Sequence, residues 1–176
     1  FGWDSSFKGH QAAREDYNNS GWDKGHMAPA GDFRWDSTAM DETFYLTNVC
    51  PQNETFNKKD WQFLEKKVLQ WAQDYGKAWV VTGPLIGENK YGTIGENEVV
   101  VPDAFFKAVM INRKGKYYSI AFVLQNDSSH QYLQDCALTV NELEEETGLN
   151  FFYNLDDSYE EKVEDQLRLQ DWGLNY

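Results

Sequence analysis

His26 stands in the stretch SGWDKGHMAPA (residues 20–30), with Asp23, Lys24 and Gly25 before it and Pro29 after it. An imidazole beside a cation and a flexible glycine can act as a general base on water, because its ordinary pKa lies near neutral pH. Four residues are a short pattern, however. A solitary histidine is more often structural, so this stretch alone favours the plainer role. The other two histidines, His10 and His130, sit in unremarkable polar surroundings.

A second group, Asn48, Gln52, Asn57 and Glu65, suggests metal chemistry. An amide oxygen at a helix start suits a hard cation such as Mg2+, which takes oxygen ligands and keeps several waters. Glu65 follows Asn57 by eight residues, roughly two helical turns. From there it could hold a water on the metal. Periodicity alone favours a simpler account: Asn57 caps a helix, Glu65 faces solvent, and Asn48 and Gln52 satisfy loop backbone. No Cys/His spacing marks structural zinc. Gly83-Pro84 and the later glycines form no phosphate-binding loop. The rings around WDKGHMAPAGDFRW could stack bases, but aromatics at this density are more often core.

The elements that must carry these residues follow from period and punctuation. Residues 1–24 show no period and read as loop. TFYLTNVCPQ (43–52) reads as a short extended segment closed by Pro51. A helix is predicted over 58–75, with Asn57 as N-cap and apolar residues at Trp61, Leu64, Val68, Trp71, Ala72 and Tyr75. Gly76 fits the position just past its last turn. Strands are predicted at 78–86, 98–112 and 116–126, the last two joined by a turn with Gly115 at positive φ. GENKYGTIGEN (87–97) reads as a mobile surface loop. Two S/T-x-x-E boxes, at Thr139 and Ser158, open C-terminal helices, and Gly148 stops the first. The sum is one α+β domain over residues 1–176, with a mixed or antiparallel central sheet and flanking helices.

Composition sets the outer limits. The chain has 176 residues, 41% hydrophobic and 16% aromatic, enough for a substantial core. No apolar run is long enough to span a bilayer. The first residue is Phe1 and no signal peptide pattern follows it, which predicts a processed or trimmed chain. Cys50 and Cys136 allow one disulfide or two free thiols. Asn18, Asn53 and Asn126 each open an N-glycosylation pattern. The net charge is −13, and residues 135–176 carry most of it, with 12 acids against Lys162 and Arg168. Such a total argues against a nucleic-acid partner, which usually needs a basic surface. The first three quarters are near balance and can still present one.

In order, the blocks DKGHMAPAGDFRW, FYLTNVCPQNETFNKKDWQFLE, VVTGPL and VPDAFFKAV resemble the DNA/RNA non-specific endonuclease family. The likeness runs from about Ser20 to Lys107, and more weakly through FVLQN and TVNELEEETGLNFF to about Phe152. It implies a ββα-metal active site and an Mg2+-dependent endonuclease that cuts both DNA and RNA, with Mn2+ or another divalent cation able to substitute. It further implies His26 as general base, Asn57 as the direct protein ligand of the metal, Glu65 as holder of metal-bound water, and Asn48 as an orienting residue. Lys24 takes the place usually held by an arginine next to the scissile phosphate. Contacts made only to backbone phosphates carry no sequence information, which suits a nuclease of low selectivity.

The chain departs from the family pattern in three places. Lysine at position 24 replaces the charge but not the bidentate fork of arginine. Leu69 stands where a second arginine is usual, and Lys66 and Lys67 have other spacings. The usual upstream basic residues are missing, which leaves Arg14 and Arg34 as candidate phosphate contacts. Lys24, Leu69 and the charge of −13 motivate an alternative: a non-catalytic nucleic-acid- or protein-binding module on the same scaffold. An acidic domain binding Ca2+ or carbohydrate fits less well, since the acids match no EF-hand loop. The likeness also suggests a secreted or periplasmic protein, kept away from its own genome, with an inhibitor partner and oligomeric state left open.

Overall fold

The computed structural model describes residues 1–155 and 157–174, with backbone only at Asp157, Ser158 and Glu161. In chain order its elements are β1 (Asp23–His26), α1 (Ser37–Glu42), β2 (Val49–Gln52), α2 (Glu54–Phe56), α3 (Gln62–Tyr75), β3 (Ala78–Leu85), β4 (Thr93–Ile94), β5 (Val99–Val100), β6 (Ala104–Arg113), β7 (Lys116–Gln125), α4 (Leu133–Cys136), β8 (Ala137–Leu138), α5 (Val140–Thr147) and α6 (Asp157–Glu164). Tight 3-10 turns lie at Arg14–Tyr17, Ala30–Phe33, Leu46–Asn48 and Leu169–Trp172, and a π turn at Asn57–Trp61. The chain divides into two compact units. One is Phe1–Lys59, Pro84–Ala104 and Gln125–Ser129; the other is Asp60–Gly83, Phe105–Leu124 and His130–Tyr176.

In the first unit, β1 and β2 pair antiparallel with Asp23 opposite Gln52 and His26 opposite Val49. The 43–52 segment is therefore not extended throughout, because the 3-10 turn Leu46–Asn48 precedes β2. Tyr17, Leu46, Val49, Ile94 and Val101 form the core, with Trp22 packed on its edge.

Residues 87–97 are not a mobile loop. Thr93–Ile94 pairs with Val99–Val100 as β4 and β5. Buried Asp103 accepts from Glu88 N and Lys90 N, both at 2.8 Å, and buried Asp16 accepts from Asn97 N at 3.2 Å and Asn97 Nδ2 at 2.9 Å. Polar composition hides such pins, since side-chain carboxylates satisfy loop N–H groups without any hydrophobic period. The predicted 98–112 strand breaks in the same region. Pro102 has no N–H to give a ladder, and Asp103 turns to the loop, so β6 starts at Ala104.

The longest helical run starts four residues earlier than its apolar period suggests. Asn53, not Asn57, is the N-cap: its Oδ1 accepts from Thr55 N at 2.9 Å and Phe56 N at 3.3 Å. Asn57 is already inside the run, its N–H donating to Asn53 O at 2.9 Å.

In the second unit the sheet order is β3-β6-β7-β8. Helix α3 buries Leu64, Val68 and Trp71. The Trp71 ring lies parallel to Phe122 of β7 at 6.2 Å and edge-on to Trp172 at 4.8 Å, and its Nε1 donates to Trp172 O at 3.2 Å. Gly76 ends α3 at φ 82° and Gly115 turns the β6–β7 hairpin at φ 88°, as predicted. The Thr139 box is present, with Glu142 N donating to Thr139 Oγ1 at 3.1 Å. The Ser158 box lies outside the described side chains. The α+β class with flanking helices stands.

Candidate active site

His26 ends β1, and the residues after it are held by Asn48. Met27 N donates to Asn48 O at 2.9 Å, Ala28 N donates to Asn48 Oδ1 at 3.0 Å, and Asn48 Nδ2 donates to Ala28 O and Thr43 O, each at 2.9 Å. The Asn48 amide is therefore a brace on backbone. It can act on chemistry only through the loop it fixes.

The His26 imidazole is half-buried against two rings, Phe1 at 5.4 Å and Phe44 edge-on at 4.9 Å. No hydrogen-bond partner reaches its sealed Nε2. Burial holds its pKa below the usual 6.5. The ring is thus kept neutral, the form that accepts a proton. An orphaned buried ring nitrogen is rare in folded proteins and calls for a functional explanation.

Between Lys24 and His26, Gly25 has no alternative. A Cβ there would fall 2.1 Å from Gln52 Cδ and Oε1. Gln52 is fully buried, and neither atom of its amide has a partner. The Lys24 ammonium rests over the Tyr17 ring at 4.9 Å and the Phe1 ring at 5.7 Å.

Asp23 has a role that sequence reasoning missed. Its Oδ2 accepts from Asn57 Nδ2 at 3.0 Å. That bond fixes the amide and leaves its oxygen for a cation. The only sequence signal was the place of Asp23 in the DKGH block. Among the described residues no group of three or more His, Cys, Asp or Glu could hold a metal. A divalent ion at this strand pair would draw on amide oxygen and water, and the Asn57 amide fits that need.

Asn57 is thus tied to Asp23 at the start of β1, and Asn48 to the backbone that follows His26 at its end. Glu65 lies half-buried on the first turn of α3, in the second unit. Leu69 follows one turn later on the same helix. Arg14 and Arg34 are exposed, and neither bonds to Lys24, His26 or Asn57. Both cysteines are free, and burial raises the thiol pKa to about 12 at Cys50 and about 11 at Cys136.

An antiparallel strand pair carrying a histidine, running into a helix that carries an asparagine, is a ββα site. The chain belongs to the DNA/RNA non-specific endonuclease family, whose sequence profile matches residues 1–158. Nuclease EXOG, mitochondrial, of Xenopus laevis is 38% identical over 160 residues, covering 82% of this chain and 44% of that protein. Endonuclease G, mitochondrial, of Homo sapiens is 35% identical over 164 residues, covering 86% of this chain and 55% of that one. A crystal structure of an EndoG/EndoGI complex, described as showing the mechanism of EndoG inhibition, superposes with TM-score 0.83 at 31% identity, over 90% of this chain and 71% of that one. The chain spans about half the length of the curated relatives it matches. The expected secreted or periplasmic location does not hold. Relatives from Xenopus laevis, Bos taurus and Schizosaccharomyces pombe are named as mitochondrial nucleases, and they point to mitochondria instead. Among the described residues no helix is long and apolar enough to cross a membrane.

Proposed function

We propose that this chain is a metal-dependent endonuclease that hydrolyses phosphodiester bonds of DNA and RNA, with the His26 imidazole as general base. One observation carries the reading: Asp23, at the start of the strand that ends in His26, fixes the amide of Asn57. The proton acceptor and the oxygen donor are thus tied to one strand.

A divalent cation, Mg2+ by the oxygen chemistry and Mn2+ in its place, would supply Lewis acidity to the phosphodiester. The remaining work belongs to the chain. Asn57 Oδ1 would hold the cation, oriented by Asp23. The neutral His26 ring takes the proton of the attacking water, favoured by the burial that keeps it uncharged. Asn48 fixes the backbone that follows the base. Lys24 offers positive charge to the phosphate, as a point charge and not a fork. Glu65 accepts a hydrogen bond from water and orients it. The EndoG/EndoGI neighbour supports a protein inhibitor as a partner class.

A second reading, an inactive binding module, has one observation in its favour: the Lys24 ammonium is engaged on aromatic faces. One assay separates the two. Supercoiled plasmid and RNA are incubated with Mg2+ or with EDTA, beside His26→Ala. Nuclease function requires cleavage with Mg2+ alone and a loss of roughly 10²–10⁴-fold in the variant. An alanine variant with full activity overturns the mechanism. Absence of cleavage with every divalent ion selects the binding module.

A further inference from the structure

Four cations gather at one end of the sheet in the second unit. There α3 ends, β3 begins, and the β6–β7 hairpin turns at Lys114 and Gly115. The Arg113 guanidinium lies between two rings, 4.4 Å from the Tyr75 centroid and 4.8 Å from that of Tyr118. Lys116 is over the other part of this cluster, 5.1 Å from Tyr118. Lys77 lies 5.3 Å over Trp79, whose ring is 5.9 Å from Tyr117. Lys114 is exposed at the tip of the turn.

The chain has 29 acids against 16 Lys and Arg. Even so, none of these four cations forms an ion pair among the described residues. Asp74 is near in sequence, but it accepts from Gln70 Nε2 at 2.8 Å. The acidic helix α6 approaches through Tyr159, whose hydroxyl accepts from Tyr117 N at 3.3 Å. Nε and Nη2 of Arg113 are sealed with no acceptor. Ring faces hold a cation in place without neutralising it. The result is positive charge fixed in position and left available, on a chain whose total charge repels a polyanion.

We propose that this end of the sheet is a second nucleic-acid contact, which binds backbone phosphates of the substrate. The proposal rests on the nuclease reading above. The exposed Lys77, Lys114 and Lys116 supply the phosphate contacts, and Arg113, with Nε and Nη2 sealed, adds positive charge behind them. Backbone contacts there add affinity without sequence preference.

The test is Lys77→Gln/Lys114→Gln/Lys116→Gln, three exposed substitutions whose folding is checked by circular dichroism. Binding is measured in a His26→Ala background and cleavage in the parent background. For a duplex of about 40 base pairs, the plot of log Kobs against log salt becomes shallower by about 0.9 for each phosphate that the variant no longer neutralises, and KM rises roughly tenfold. An unchanged salt slope and KM overturn the proposal. So does a triple variant that keeps its duplex affinity but fails to bind phosphatidylserine vesicles that the parent binds, which would make the patch a lipid contact. If the parent cleaves nothing, the nuclease reading fails. If the parent cleaves and the triple variant behaves like it, only the second contact fails.

Discussion

Replacing Gly25 by alanine adds one methyl group at the most crowded point of the β1–β2 pair. Its Cβ would meet Gln52 Cδ and Oε1 at 2.1 Å and Cγ at 2.3 Å, where ordinary contact begins near 3.4 Å. Gln52 is fully buried, so its side chain has no open space to enter. About 1.3 Å of separation must therefore open between the strands, an overpacking strain worth roughly 1–3 kcal/mol. The obstacle is space and not conformation, because Gly25 is outside the positive-φ glycines. The displaced residue lies between Lys24 and His26, and a misplacement near 1 Å costs roughly 10²-fold in rate. Urea unfolding and kcat/KM on a defined duplex read the two effects. Gln52→Ala in the same chain removes the colliding atoms and breaks no hydrogen bond, since neither amide atom has a partner. The double variant should regain both stability and rate relative to Gly25→Ala, which gives a positive coupling between the sites. Gly25→Ala with parental rate and stability, or a double variant that is simply additive, refutes the reasoning.

Two further predictions concern protons. Burial lowers the His26 pKa, and the protonated ring cannot act as base, so kcat/KM should fall as pH drops through a value below 6.5 and level off above it. Phe44→Ala, which removes a ring 4.9 Å away, should move that limb upward toward 6.5; a limb already at or above 6.5 in the parent contradicts the burial argument. Glu164 is almost fully buried, and burial first, then Glu144 and Glu160, raise its pKa to about 8. The folded chain keeps a proton that the unfolded chain releases near 4.5, so stability declines as pH rises from there to about 8, by up to about 1.4 kcal/mol per pH unit. Glu164→Gln should gain stability relative to the parent between pH 5 and pH 9 in urea unfolding; a difference that does not change with pH removes the assignment.

How far the sequence can be read depends on which interactions leave a period. The apolar spacing of Leu64, Val68 and Trp71 and the glycines at 76, 115 and 148 mark α3, the hairpin and the end of α5, because burial and positive φ select residue types directly. The start of the helical run is not legible, since Asn53 and Asn57 are equally good caps by residue type and only tertiary contacts choose between them. The π turn at Asn57–Trp61 is hidden as well. It takes in about one residue more than an α turn, which shifts the phase of the helix with no sign in the apolar count. The pinned loop at 87–97 escapes for a similar reason: Asp16 and Asp103 act on backbone N–H groups far along the chain. At the site, the DKGH block makes His26 legible as a candidate, but nothing in composition links Asp23 to Asn57.

The contacts that escape sequence reading share a chemical logic. The backbone around β1 and β2 is held by neutral amides. Asn48 braces the loop after His26, and Asn53 caps the helical run. Asn126, fully buried, donates to Pro51 O at 3.1 Å and Pro102 O at 2.8 Å and accepts from Asn53 N at 2.8 Å. Two of the three N-glycosylation patterns, at Asn53 and Asn126, are thereby committed to backbone. An amide offers donors and an acceptor in one plane and adds no charge. That matters on a chain of net charge −13 that is proposed to receive a polyanion. Each carboxylate used as a brace near the scissile phosphate would add repulsion and compete for the cation. Asp23 is tied to the Asn57 amide, where it orients the proposed ligand. Bracing by amides lets an acidic protein keep a rigid strand pair without further raising the electrostatic cost of substrate approach.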